Sequence, residues 1–361
     1  MNATLKFEDT SITVALVGCG GFIGCHLLRA ILERTSWRVF GVDLDSYRIQ
    51  EHLANPRFEF LSADLADPEV VKRIAQFPVV VNLAAICTPG RYMAEAAEVI
   101  RSNYDHPRAL ADACAKSGSW LIHFSTSEIY GKTAADSGAL LEDETEIVLG
   151  PVTASRWSYA TAKLLTERYL AGLAGLDWTV VRPFNFVGPF MDFMPGVDGE
   201  GIPRVLANFS TALVRGESLK LVNGGVAKRC FTSVHDAVDF MFSVFAAGEN
   251  PEHRSGVLSQ AFNVGNAANE VSIAELAQLM RSVYASVKGI PESVLSGVEV
   301  VSGEEYYGKG YDDSLRRLPS VEKAERLLGF KAKIPLKEAL EESLSWFVNH
   351  YSVHDCHSEE P

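Results

Sequence analysis

Short, almost continuously apolar runs alternate with longer stretches of helical period through the first half of the chain. The runs at 13–18, 38–43, 58–64, 79–85, 121–126 and 178–183 predict strands. Few polar residues interrupt them, which suits strands covered by helices on both faces. The stretches at 22–34, 69–76, 94–117 and 157–174 predict the helices between. Strand alternating with helix in this way predicts an α/β fold, a Rossmann-type doubly wound parallel sheet.

Beyond Pro183 the pattern changes. Residues 185–201 are rich in Gly, Pro, Asp and Met and follow no period, so they predict a long ordered loop, a kind usually kept for function. A helix at 203–215, a strand at 219–222 and a turn at Gly224-Gly225 follow. Residues 234–246 predict a helix and 261–265 a strand returning to the main sheet. Ser272 with Glu275 three residues on has capping-box spacing and opens a helix at 272–287. An extended run at 299–302 and a helix at 336–351 complete the chain. The expected organisation is a large unit, 1–183 with 230–265 returning to it, and a smaller interleaved lobe, 184–229 with 266–361.

The 361 residues suffice for a large α/β domain with an added lobe, and 47% apolar and 22% charged residues are ordinary for a globular chain. No apolar run approaches the roughly 18–20 residues that span a bilayer. Residues 1–10 are polar and mixed in charge, unlike a signal or transit peptide, so the expected location is the cytoplasm. A net charge of -13 argues against nucleic acid or an anionic membrane as the main partner. It leaves room for an anionic nucleotide, because amides and arginines can reverse the field inside one cleft. Cys19, Cys25, Cys87, Cys114, Cys230 and Cys356 are scattered and read mostly as free buried thiols. The histidines have no metal-ligand spacing, and His354 and His357 beside Cys356 are not read as a metal site.

Two clusters carry chemistry. Gly18-Cys19-Gly20-Gly21-Phe22-Ile23-Gly24 follows the first strand and opens the first helix, where glycines let a pyrophosphate approach the helix N-terminus. Asp43 ends the second strand, placed to accept hydrogen bonds from an adenosine ribose. Leu44 and Asp45 follow it, with no arginine for a 2′-phosphate, which favours NAD over NADP. Asp64 and Leu65 close the third strand beside the expected adenine, although Asp64 reads equally well as the N-cap of the next helix. Leu83-Ala84-Ala85 offers small residues where a cofactor ribose passes. In the second cluster, Tyr159 and Lys163 lie four apart on one helix face, about 5–6 Å between Cβ atoms. The ammonium is expected to lower the phenol pKa and give a base useful near neutrality. Ser125-Thr126-Ser127-Glu128 adds hydroxyls and a carboxylate. The combination points to hydride chemistry on a sugar-like alcohol.

These markers, with Ser127-Glu128-Ile129-Tyr130-Gly131, Arg182-Pro183-Phe184-Asn185 and Arg229-Cys230-Phe231-Thr232, resemble the extended short-chain dehydrogenase/reductase family over nearly the whole chain. Within it, C4-epimerases carry small apolar residues at the Ser127-Glu128 positions, 4,6-dehydratases carry Asp-Glu, and Ser-Glu resembles UDP-glucuronate decarboxylases. The stretches 84–92, 189–199 and 306–313 look like the UDP-apiose/UDP-xylose synthases and the decarboxylases of the lipid A aminoarabinose pathway. The resemblance implies NAD as cofactor, a UDP-sugar (UDP-glucuronate) as substrate and UDP-xylose, a 4-keto-pentose or UDP-apiose as product. It implies that Tyr159 takes the C4 hydroxyl proton, Thr126 holds that hydroxyl and Lys163 binds the nicotinamide ribose. Glu128 would act near the sugar carboxylate and Arg317 would donate a proton. Tyr92, Arg156, Asn185 and Tyr311 would contact sugar or phosphates. Residues 220–229, with Lys220, Val222 and Arg229, would wrap the uridine diphosphate, and Arg204 is placed in the same substrate set. Ser127 stands where the apiose-forming enzymes have a cysteine, a better base, which puts ring contraction in doubt. A homodimer through the helices at 94–117 and 157–174 is also implied.

Plainer roles stand beside these. Glu128 reads also as a helix-starting residue, Arg316 and Arg317 as a solvated pair, and Cys87 as a small buried hydrophobe. Arg182 reads as a cap on the strand-to-loop geometry or as the partner of a carboxylate, and is left out of the site. A C4-epimerase and a 4,6-dehydratase are competing activities. An idle NAD-sensing protein is a further alternative, against which the intact Tyr159, Lys163, Thr126 and Glu128 argue.

Overall fold

The structure, a computed structural model, describes residues 12–133, 138–308 and 311–351. The first ten residues, Lys309, Gly310, His354, Cys356 and His357 lie outside the described residues. Six of the seven strands of the central sheet are β1 (Thr13–Val17), β2 (Arg38–Asp43), β3 (Phe58–Ser62), β4 (Val79–Asn82), β5 (Trp120–Phe124) and β6 (Asp177–Pro183). The short strand β7 (Phe186–Val187), with β8 (Leu219–Val222), β9 (Lys228–Cys230) and β10 (Thr232–Ser233), follows before β11 (Gln260–Val264) returns to the sheet. Its order is β11-β6-β5-β4-β1-β2-β3, parallel throughout. The expected doubly wound Rossmann architecture is present. The order reverses between β1 and β4, and open sheets of this kind bind ligands at that switch point, beyond the strand C-termini.

Helix α1 (Phe22–Arg34) leads from β1 to β2, and α2 (Pro68–Ile74) from β3 to β4. The cap of α2 is Asp67, whose side chain accepts from Glu69 N, with Pro68 next in line. The alternative role of Asp64 as that cap is therefore corrected: Asp64 accepts instead from Ala66 N at 2.9 Å. The single helix expected at 94–117 is broken into α3 (Pro89–Ala94), α4 (Ala96–Ile100), a π-helical turn at Arg101–Asp105 and α5 (His106–Ser117). Pro107 has no N–H for the carbonyl of Asn103, and the Thr166 hydroxyl donates to that carbonyl instead, at 2.7 Å. The Asn103 amide donates to Val99 O and across to Ile86 O. Helix α6 (Ser158–Gly172) carries the Tyr159/Lys163 pair.

The loop expected at 185–201 contains β7, which pairs with β10, and places Asn185, Phe190 and Asp192 at positive φ. Helices α7 (Val205–Arg215) and α8 (Val234–Glu249) flank the next stretch. The strand β12 (Glu270–Ser272) precedes α9 (Ile273–Lys288), where the Ser272/Glu275 capping box forms as the spacing predicts. The strand β13 (Val298–Val301) pairs with β8, and α10 (Gly303–Tyr307) follows it. Strand β14 (Arg316–Arg317) pairs with β9, ahead of α11 (Glu322–Leu328) and α12 (Leu336–Tyr351).

One apolar cluster joins α1, α8, α9 and α12 to one face of the sheet, and a second joins α2, α5 and α6 to the other. Cys19, Cys25, Cys114 and Cys230 are buried free thiols. No helix among the described residues is long and apolar enough to cross a membrane.

Candidate active site

A cavity of about 1250 Å³ opens beyond the C-terminal ends of β1, β2, β4, β5 and β6. Every residue that the sequence assigns to the cofactor or substrate site lines it except Gly20, whose amide donates to Asp43 Oδ2 at 2.8 Å.

At one end the glycine loop is shaped by close approach. A Cβ on Gly24 would stand 2.0 Å from Gly18 O, and Gly18 itself has φ +84° with Ala84 N only 2.8 Å from an added Cβ. Helix α1 starts at an extended Gly21 with no side-chain cap, so the amides of its first turn are left for a ligand. Gly21, Phe22, Ile23 and Gly24 line the cavity there, with Asp43 opposite. Asp64, Leu65, Leu83, Ala84 and Ala85 line the same end. An uncapped helix start, a carboxylate at the end of β2 and small residues after β4 suit a dinucleotide.

Toward the middle, Tyr159 and Lys163 rise from α6 beside Thr126, Ser127 and Glu128 at the end of β5. The Lys163 ammonium is buried and donates to Phe124 O at 2.7 Å. Burial pushes its pKa down to about 8, against the pull of Cys87 and Glu167. The Tyr159 phenol departs from expectation. Burial, then Cys87 and Glu128, raise it well above the usual tyrosine range, while a hydrogen bond from Thr126 and the charge of Arg204 pull it down. Tyr92, 1% exposed, stacks on Tyr159 with ring centroids 4.7 Å apart and 7° between planes. Cys87 packs against this pair, partly exposed in the cavity wall.

Glu128 belongs to a short 3₁₀ turn (Ser127–Tyr130), its amide donating to Thr126 Oγ1 at 3.1 Å. The helix-start reading describes it, and its side chain also lines the cavity. Arg156 Nη1 meets Glu128 Oε2 at 2.6 Å, and Arg317 Nη1 stands 3.8 Å from Oε1. Three guanidiniums surround Asp313: Arg229 at 3.1 Å, Arg156 at 3.7 Å and Arg317 at 3.9 Å. Burial pushes the Asp313 carboxyl up, but Arg229, Arg156 and Arg317 overcome it and hold it far below the usual carboxylate range. Burial and the like charge of Arg317 push Arg229 down to about 10. Three cations against Glu128 and Asp313 leave the cluster with a positive excess that suits an anionic ligand. The buried Ser125 Oγ and Arg317 Nε on the cavity wall have no hydrogen-bond partner, as polar atoms that await one do.

The reading of Arg316 and Arg317 as a solvated pair is corrected: Arg316 pairs with Glu270 at 2.6 Å, whereas Arg317 is buried and faces the cluster. Alternate residues of an extended strand point to opposite sides. Arg182, kept out of the site, pairs with buried Glu167 at 2.7 Å. Arg204 reaches the cavity but is engaged by Asp192 at 3.1 Å, and Asn185 commits its Nδ2 to Cys230 O. Lys220 is exposed, over the Tyr306 ring, while Val222 and Tyr311 line the same end. Nothing in the sequence pattern marks Asp313 as the centre of the arginine cluster. Its one signal is a position four residues before Arg317 within the 306–313 stretch.

The family model described as NAD dependent epimerase/dehydratase family matches residues 14–265. The UDP-D-apiose/UDP-D-xylose synthase of Oryza sativa subsp. japonica is 40% identical over 93% of this chain and 89% of its own. UDP-D-apiose/UDP-D-xylose synthase 1 of Arabidopsis thaliana is 40% identical over 93% of this chain and 91% of its own. Among solved structures, the PbgP3 protein from Burkholderia pseudomallei superposes with TM-score 0.81 at 29% identity, covering 95% of this chain and 98% of that one. With the glycine loop, the Tyr159/Lys163 pair and the sheet order in agreement, the chain belongs to the NAD dependent epimerase/dehydratase family.

Proposed function

We propose that this enzyme is an NAD-dependent UDP-glucuronate decarboxylase, oxidising the sugar at C4 and releasing C6 as carbon dioxide. The observation that carries this reading is Glu128, partly buried between the buried Arg156 and Arg317 on the wall that also holds Tyr159. A charged cluster at that point suits a hexuronate carboxylate, and the excess of cations suits the diphosphate. The 40% identity to UDP-D-apiose/UDP-D-xylose synthases supports the same substrate class.

NAD, held by the Gly18–Gly24 loop, Asp43 and Lys163, would supply the hydride acceptor for C4. The chain supplies the rest. Thr126 orients the C4 hydroxyl and Tyr159 takes its proton, with the Thr126 hydrogen bond and the charge of Arg204 opposing the forces that raise the phenol. Oxidation at C4 places a ketone β to the carboxylate, so the C5–C6 bond breaks and its electron pair passes into the C4–C5 enolate. Tyr159 and the arginines stabilise that oxyanion, and Arg317 is the proton donor to C5. Tyr92 closes one face of Tyr159 and Cys87 lines the wall. Lys220, Val222, Arg229 and Tyr311 bind the uridine diphosphate, Arg229 through the charge and the donors that its bonds to Lys228 O, Ser314 O and Asp313 leave over. Buried Ser127, a poorer base than a thiolate, argues against ring contraction to UDP-apiose, and the products proposed are a UDP-4-keto-pentose, where the hydride leaves with the cofactor, and/or UDP-xylose, where it returns to C4.

Incubation with UDP-glucuronate and NAD, followed by NMR of the sugar and trapping of carbon dioxide, tests this. A UDP-pentose with one carbon dioxide per sugar is expected, and Tyr159→Phe should lower turnover by about 10²–10⁴-fold. Conversion to a C4-epimer without gas release would replace the reading with an epimerase. Unchanged turnover in Tyr159→Phe would remove Tyr159 from the chemistry.

A further inference from the structure

The stretch from Tyr311 to Arg317 brings Asp313 and Arg317 to the arginine cluster, and it is held at both ends. At its C-terminal end β14 pairs with β9, setting Arg317 beside Arg229, and Lys228 N donates to Leu315 O at 2.8 Å. At its N-terminal end Asp312 accepts from Trp157 Nε1 at 3.1 Å and meets Lys132 Nζ at 2.5 Å. Trp157 is buried, and it stands immediately before α6 and immediately after Arg156. Consecutive residues therefore grip consecutive residues: Asp312 holds Trp157 while Asp313 faces Arg156 at 3.7 Å. Gly150 closes over this contact, since a Cβ there would stand 2.3 Å from Trp157 Nε1 and 3.1 Å from Asp312 Oδ2.

We infer that Asp312 is a positioning residue for the reaction, latching the 311–317 stretch to Trp157 and Lys132 so that Asp313 and Arg317 stand opposite Glu128 and Tyr159. Arg317 lies 3.8–3.9 Å from both of its carboxylate partners and its Nε has no partner, so its own contacts hold it loosely. Its placement then depends on the backbone that carries it, fixed by β14 on one side and Asp312 on the other. Without the Asp312 contacts Tyr311 still stacks on Tyr307 and the strand pairing stays, but the link to Trp157 beside Arg156 is lost, and Asp313 moves relative to Arg156.

The choice of sugar rests on the proposed decarboxylase reading; the latch does not. The test is a double-mutant cycle of Asp312→Asn with Arg317→Ala on the full chain, read as kcat/KM for UDP-glucuronate. It is read also as the affinity for UDP, which needs no turnover. If Asp312 acts through the stretch that carries Arg317, Asp312→Asn lowers kcat/KM about tenfold and UDP affinity several-fold in the wild-type background, and each less than about twofold beside Arg317→Ala. An equal loss in both backgrounds, or less than about twofold in the wild type, overturns the latch. Lys132→Met, which removes the partly exposed partner of the same carboxylate, repeats the cycle should Asp312→Asn fail to fold. Wild-type protein that binds UDP yet releases no carbon dioxide would count against the substrate assignment alone, and the UDP arm of the cycle would still decide the latch.

Discussion

At the scale of single residues, burial outweighs the pairing that makes Tyr159 and Lys163 recognisable. Four-residue spacing on a helix brings phenol and ammonium to one face, and the simplest consequence is a lowered phenol pKa. In the folded chain the phenol is instead raised by burial, Cys87 and Glu128, and the ammonium is itself depressed to about 8 by burial. Lys163 therefore carries its proton below about pH 8 and loses it above. The value of kcat/KM for NAD, which reports the free enzyme, should accordingly fall along a single alkaline limb near pH 8. A profile that stays flat to about pH 10, the ordinary lysine range, would remove Lys163 from that role. Arg317 makes the same point from geometry. A pair of adjacent arginines reads as a solvated face, yet strand alternation sends Arg316 to Glu270 and Arg317 inward.

At the scale of elements, the contacts between a strand and the helix beside it decide what is structural and what is catalytic. Arg182 near the end of β6 makes three hydrogen bonds to Glu167 of α6, and donates also to Tyr130 Oη at 2.7 Å and Glu142 O at 3.0 Å. Burial works against the guanidinium charge, but Glu167 and Tyr130 more than compensate. Arg182→Met leaves the Glu167 carboxylate buried without its partner, which should cost about 3–5 kcal/mol in urea unfolding. The KM of the protein that remains folded should stay near wild type, since Arg182 does not line the cavity. A large change in KM with full stability would reverse this division. Element identity is well predicted where the period is long and regular, as in α1 and α12. The break in the helix at 94–117 is not, because its cause is a specific exchange of partners: Pro107 removes one donor and Thr166 on another helix supplies it.

At the scale of the whole molecule, the helices α4 and α6 expose Ile100 and Leu165 on their outer sides, 39% and 44% accessible. We propose that these helices pair with their copies in a homodimer, since an isologous contact repeats the same apolar side chains across a two-fold axis. Light scattering should then give twice the chain mass, and Leu165→Glu should return it to one chain. A wild-type protein at one chain mass would dispose of the dimer. The interleaving of the two parts of the chain also belongs to this scale. β11 joins the sheet after an excursion through β8 to β10, and the arginine cluster forms where that excursion and the 311–317 stretch meet the end of β5.

The sequence by itself determined the doubly wound sheet, the dinucleotide loop and the Tyr159/Lys163 face, because each is written in a local period or a fixed short spacing. Residues 18–24 must turn tightly between a strand and a helix, and only glycine allows the approach of Gly24 to Gly18 O. The tertiary structure alone decided which charges meet. Arg156 and Glu128 are 28 residues apart, and Arg229 and Asp313 are 84 apart, so no spacing announces either pair. An ion pair needs only proximity in space, and that proximity is set by strand order and by the anchors at the two ends of one short stretch of chain.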